Sequence, residues 1–251
     1  MHEAETSLPA IDHNRDICPM AELVQSTIHD MLVTGRRALL TLREKMVRGS
    51  ISSEHLVQFF DTIDSLADSV GAFLCEGYKQ GDALIVVARP KNWEAISVRL
   101  TLAGCDLTGA LASSRLRVRD ADLTLREFMR NGLPDSILFH RTVGDLVHDG
   151  VKQTGGLRIY GEMVEILAEE ANFHAAQRLE ELWNELAVRN SFVLMCGYSA
   201  VHFAAHDRQA LAAICAAHTH VHTDPADQLA HWLLSGHREA AKTPPPPAAV
   251  S

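Results

Sequence analysis

Six short strand-like segments, most of them apolar and regularly separated by helix-forming stretches, constrain this chain more than any other feature. They are "HLVQFF", "ALIVVAR", "LRVRDA", "LRIYGE", "SFVLMCGY" and "THVHT". Between them, apolar residues recur at three- and four-residue steps over about 62–80, 91–103, 122–131, 136–152, 163–189 and 206–216. The six segments are rich in Val, Ile, Leu and Phe and lack strict alternation, so neither face of such a strand meets water. Strand and helix in alternation, with strands apolar on both sides, imply an α/β fold: a mostly parallel sheet covered by helices on both faces.

At 251 residues and 47% hydrophobic, the chain can bury the core of one domain. Residues 1–49 read as an extension carrying an amphipathic helix from Ala21 to about Arg48, with Gly35 as a break point. The central domain spans 50–222, "DPADQLAHWLLSGHREAAK" adds a helix within 223–241, and "TPPPPAAVS" makes 242–251 an extended, solvated tail. A formal charge of −9 disfavours a nucleic-acid surface, and the basic "RRALLTLREKMVR" reads as the solvated face of a helix. The longest apolar runs fall far short of the roughly 20 residues of a membrane helix. Five cysteines, 18, 75, 105, 196 and 215, form an odd set without CxxC spacing and point to a reducing cytoplasm.

The first strand-to-helix turn, in "HLVQFFDTIDSLADS", has no GxxxxGK[ST] and no GxGxxG, and Asp61 and Asp64 would repel phosphate. ATP hydrolysis and dinucleotide binding therefore have no motif here, and no cofactor is expected. Neither a GxSxG elbow nor an HExxH helix is present. His218, His220 and His222 alternate in "HTHVHT", so a metal on one strand face stands against a polar strand end bearing solvated histidines.

Three segments, from "HLVQFFDTIDSLADSVGAFLCEGYKQGDALIVVARPKNWEAI" through "LRIYGEMVEILAEEANFHAAQRLEELWNEL" to "FVLMCGYSAVHFAAHDRQALAAICAAHTHV", resemble in order and spacing the MEDS family. This is the sensory domain named from methanogens and methylotrophs and from the dichloromethane-responsive transcriptional regulator. The resemblance covers about residues 50–222 and is carried by RIYGEM, LEELWNEL and CGYS. It implies a fold related to the KaiC-like branch of P-loop ATPases with the phosphate-binding loop lost. It also implies a non-catalytic signal-receiving role, with small hydrocarbon-like ligands proposed for the family. No segment reads as a helix-turn-helix or kinase module, so output would pass through a signalling or transcription partner, or through a homodimer built on the terminal helices.

Matched to the family pattern, His55 and Phe59 occupy the opening strand, Arg158, Gly161 and Glu162 its R-x-x-G-E, and Glu180 and Asn184 its E-x-x-x-N helix. A guanidinium on a strand covered on both sides needs an acceptor, and Glu180 is the expected partner of Arg158, with Asn184 completing a structural polar network. Tyr160, Glu162, Cys196 and Tyr198 fall at strand ends, where an open α/β sheet forms its crevice. With His55 and Phe59 they either line a small-molecule pocket or pack the core. Two other functions stay open: an enzyme using Glu162 with His55 or a cysteine, and a protein-binding scaffold without a small ligand.

Overall fold

The computed structural model describes residues 53–204 and 208–235. The expected helix at 21–48 and the proline-rich tail lie outside these residues. In chain order the elements are β1 (Glu54–Phe60), α1 (Ile63–Gln80), β2 (Ala83–Ala88), α2 (Pro90–Leu102), α3 (Leu107–Ala112), β3 (Leu116–Asp120) and α4 (Ala121–Phe128). A small hairpin of β4 (Met129–Arg130) and β5 (Leu133–Pro134) follows, then α5 (Ser136–Phe139), a π-helical turn (His140–Gly144) and α6 (Asp145–Thr154). The chain continues through β6 (Leu157–Gly161), α7 (Met163–Glu169), α8 (Phe173–Ala187), β7 (Val193–Ser199), α9 (Val201–Ala204), α10 (Arg208–Ala217), β8 (His220–Thr223) and α11 (Gln228–Leu234).

Six strands form one parallel sheet in the order β3-β2-β6-β7-β1-β8. The α/β class implied by the alternation is the one observed, and each of the six segments supplies a strand. Side-chain parity divides the core in two. On one face Leu56, Leu84, Val86, Tyr160 and Met195 pack under α1 and α2, against Leu66, Val70, Leu74, Ile96 and Leu100. On the other, Val57, Phe59, Ile159, Leu194, Cys196 and Tyr198 pack under α4 to α8 and α10. Each large side chain buried this way is worth about 1.5–3 kcal/mol. That is why strands without alternation are stable only inside such a sandwich.

The helices are set by local chemistry. Thr62 caps α1 in a reciprocal capping box with Ser65, and Gly81, at φ 89°, ends it in the left-handed conformation. Asp106, Asp120 and Asp135 cap α3, α4 and α5 by accepting an amide N–H from three residues on. The single helix expected at 163–189 is two helices. Ala171 takes a left-handed φ of 54°, and Asn172 then caps α8 by accepting the Ala175 amide. The stretch expected as one helix at 136–152 contains the π-turn at His140–Gly144. Among the described residues no helix is long and apolar enough to cross a membrane.

Candidate functional site: a buried polar cluster under α8

The side of the sheet covered by α8 and α10 carries a polar cluster inside the apolar core. His55 points to this side from β1, and Cys196 and Tyr198 do so from β7, in the register that pairs Val57 with Cys196 and Phe59 with Tyr198. Glu180 descends from α8 and is completely buried. It accepts the Tyr198 hydroxyl at 2.8 Å and the Cys196 thiol at 3.4 Å. Its carboxylate also faces the Nε2 atoms of His55 at 3.2 Å and His218 at 3.4 Å.

Thr219 brings the two imidazoles together. Its hydroxyl accepts the His55 amide and donates back to the His55 carbonyl, so His218, one residue earlier, lies against His55 with ring centroids 4.0 Å apart. His55 Nδ1 meets Asn184 Oδ1 at 2.9 Å, and the Asn184 amide nitrogen donates to the Ala217 carbonyl, which fixes which end of the amide faces the ring. His218 Nδ1 donates to the Ile214 carbonyl at 2.7 Å. Burial, then the neighbouring His218, lowers the His55 pKa. Burial alone would raise the Glu180 carboxyl, but the imidazoles beside it more than reverse this and hold it below the usual carboxylate range. Burial also pushes the Cys196 thiol and the Tyr198 phenol well up, with the Glu180 charge adding to both. Among the described residues, His55, Glu180, Cys196 and His218 form a group able to hold a metal ion.

The expected pairing of Arg158 with Glu180 is not what forms. Arg158 and Tyr160 share the opposite side of β6, under α1, where the guanidinium binds Asp82 at 3.2 Å, the Phe73 carbonyl and Gln80, and lies over the Phe73 ring. Alternation along β6 puts the whole sheet between Arg158 and α8, so the network of Glu180 and Asn184 has His55, not Arg158, as its third member. Gly77 makes room for the arginine: a Cβ there would collide with Arg158 Cδ.

The six residues expected around one strand-end pocket fall into two groups. His55, Cys196 and Tyr198 meet in the cluster, while Phe59 stacks on Tyr198 at 5.9 Å and is wholly buried. Tyr160 and Glu162 lie elsewhere. Tyr160 fits its hydroxyl beneath Gly197, where a Cβ would approach to 2.7 Å, and donates to Glu162 at 2.9 Å. Glu162 also accepts the Arg89 amide and the Asn92 side chain, and burial raises its pKa against these bonds. An open surface groove of about 640 Å³, lined by Ser136, Ile137, His140, Arg141, Glu185, Val188 and Arg189, contains none of these residues.

The three alternating histidines do not converge either. His218 precedes β8 and turns into the cluster, His220 faces Glu54 at 3.7 Å, and His222 is buried with its Nε2 lacking a hydrogen-bond partner. Sequence reasoning missed the role of His218 in the cluster and that of Glu180 at its centre. One signal for Glu180 was present: Ala176 and Trp183, at i−4 and i+3, are both buried, so the carboxylate lies on the apolar face of α8.

Fold and site together define a helix-covered parallel α/β domain whose polar machinery is held inside the core. The chain belongs to the MEDS family, the methanogen/methylotroph, DcmR sensory domain, whose family model matches residues 54–219. It is thus a member of a family of sensory domains. No curated protein matches the chain.

Proposed function

We propose that this chain is a non-catalytic, cytoplasmic signal-sensing domain that responds to a small molecule or protein partner through the buried cluster, relaying the change to a signalling or transcription partner or to a second copy. The observation that carries this reading is the position of Glu180. One buried carboxylate connects β1, β7, α8 and the turn before β8 through His55, Cys196, Tyr198 and His218. A change of ligation or proton count there alters the footing of α8 and α10 together, because a buried charge tolerates few arrangements of its partners. The non-enzymatic reading is supported by the burial of His55, Glu180, Cys196, Tyr198 and His218 and by the separation of Glu162 from His55, which share no hydrogen-bond partner. The loss of a phosphate-binding loop from a P-loop ancestor is part of the same proposal.

The test is a panel of short alkanes, alcohols and halomethanes added to the full chain, read by thermal shift and by hydrogen exchange. A saturable shift with altered exchange in α8 and α10 is expected. Turnover of a panel compound would favour the enzyme, and silence together with a stable protein complex in a pull-down would favour the scaffold.

A further inference from the structure

The four innermost side chains have the donor set and spacing of a metal centre. His55 Nε2 lies 3.2 Å from Glu180 Oε2 and 3.3 Å from Cys196 Sγ, Cys196 Sγ lies 3.4 Å from Glu180 Oε2, and His218 Nε2 lies 3.4 Å from Glu180 Oε1. One donor atom from each residue lies within 4.8 Å of all the others. In a tetrahedral zinc site with bonds of about 2.0–2.3 Å, neighbouring ligand atoms stand roughly 3.3–3.8 Å apart. The three separations among His55 Nε2, Glu180 Oε2 and Cys196 Sγ thus already approximate one face of that tetrahedron, and the edges to His218 close by about 1–1.5 Å at most.

The surroundings of the imidazoles point the same way. A carbonyl can only accept, so the bond to Ile214 puts the His218 proton on Nδ1 and leaves the Nε2 lone pair facing inward. Asn184, itself anchored on Ala217, does the same for His55 through its Oδ1. This is how proteins orient metal-binding histidines, with the outer nitrogen donating to a carbonyl or amide oxygen. His218 Nε2 is fully buried and has no hydrogen-bond partner, although it is aimed at the Glu180 carboxylate. A proton on His218 would answer this, but at the cost of a buried imidazolium lying against the His55 ring, with centroids 4.0 Å apart. One divalent ion satisfies both nitrogens. With Cys196 as thiolate and Glu180 as carboxylate, its two positive charges are balanced by two negative ones, so the core holds no net charge.

We propose that His55, Glu180, Cys196 and His218 bind one divalent first-row transition metal of the zinc type, through Nε2, a carboxylate oxygen, Sγ and Nε2. A thiolate with two imidazoles selects such a metal over magnesium or calcium. Four protein ligands close the coordination sphere, so the ion stabilises the fold or transmits a signal and has no open position for a substrate. Binding releases the Cys196 thiol proton to solvent, so uptake weakens as pH falls. Because the donors are buried, the ion enters as the chain folds. The inference rests on donor geometry: a chain that binds metal yet ignores every panel compound keeps this site and loses the sensory reading.

The experiment refolds the full chain with Co2+ as the probe, followed by gel filtration, metal analysis and absorption spectroscopy. One Co2+ retained per chain is expected, with the visible bands of tetrahedral cobalt and a sulfur-to-cobalt charge-transfer band. Cys196→Ser loses that charge-transfer band. Asn184→Ala, which removes only an orienting group, keeps the band and weakens affinity about tenfold. Zn2+ during refolding raises the melting temperature of the wild type above that of chain refolded in chelator. If the variants do not fold, the wild-type spectrum and stoichiometry decide alone. A wild-type chain that folds and retains no metal overturns the proposal, as does an octahedral spectrum without the charge-transfer band.

Discussion

Arg158 carries a positive charge into a core that would reject it unpaired. Its side chain is 3% exposed, and Asp82, its partner, is 14% exposed. Arg158→Ala should therefore cost about 3 kcal/mol in urea unfolding, because it also strands the carboxylate. Combined with Asp82→Ala, the loss should fall short of the sum of the single losses, whereas with Glu180→Ala, on the far side of the sheet, it should be additive. Coupling to Glu180 instead would mean that the arginine is misplaced. His222 gives a second prediction at this scale. Burial, and then the charge of His220, depress its pKa to about 4. With the unfolded value near 6.5, its neutral form is favoured in the fold, so its contribution is complete above about pH 6.5 and is lost as pH falls through about 4. About 3 kcal/mol of acid sensitivity over that window should disappear in His222→Gln, measured by unfolding at a series of pH values. The sequence marked Arg158 as unusual for a covered sheet and read His222 as a solvated strand-end residue or a metal ligand. It did not show their partners, because strand order and side-chain parity together decide which helix each one meets.

At the scale of elements, much was legible. Apolar runs located β1, β2, β6 and β7, which are buried along nearly their whole length, whereas the edge strands β3 and β8 carry charged or polar residues and are only partly buried, so their position between helical segments marked them. The division of 163–189 into α7 and α8 was not legible, because "EILAEEANFHAAQ" keeps helix-forming residues across the break and no glycine or proline marks it. Tertiary packing overrides propensity there, and Ala171 bears the consequence at φ 54°. A left-handed alanine costs about 1–2 kcal/mol, partly offset by the greater chain entropy that glycine would bring to the unfolded state. Ala171→Gly should therefore stabilise the protein by up to about 1 kcal/mol in the same urea assay. A loss of stability would mean that the break is set by contacts of the alanine methyl and not by the backbone. The break also matters for the site. It lets α8 leave α7 at a new angle, with Asn172 capping it, and present Glu180 to β1 and β7.

On the scale of the whole molecule, the expected crevice at the carboxyl ends of the strands is where an open α/β sheet binds its ligands. Here that edge is occupied by the chain's own carboxylates. Asp61, just after β1, accepts the Leu229 and Ala230 amides at 2.7 and 2.9 Å. Glu162, after β6, accepts the Arg89 amide beside β2, and Glu165 accepts the Ser199 amide of β7 at 2.8 Å. Backbone N–H groups at such strand ends are what an anion would use, and each of these already serves a negatively charged side chain. A phosphate group would have to displace a carboxylate and then sit among the others, so two effects oppose it. ATP and inorganic phosphate at millimolar concentration should therefore leave the melting temperature of the full chain where sodium chloride of equal ionic strength leaves it. Any ligand that binds only the folded state must raise stability in proportion to the logarithm of its concentration, so the assay detects even weak binding once the concentration far exceeds Kd. A rise with ATP in the wild type, strengthened by Asp61→Ala or Glu162→Gln, would mean that these carboxylates give way to phosphate and that the strand ends, not the cluster beneath α8, are where the molecule receives its ligand.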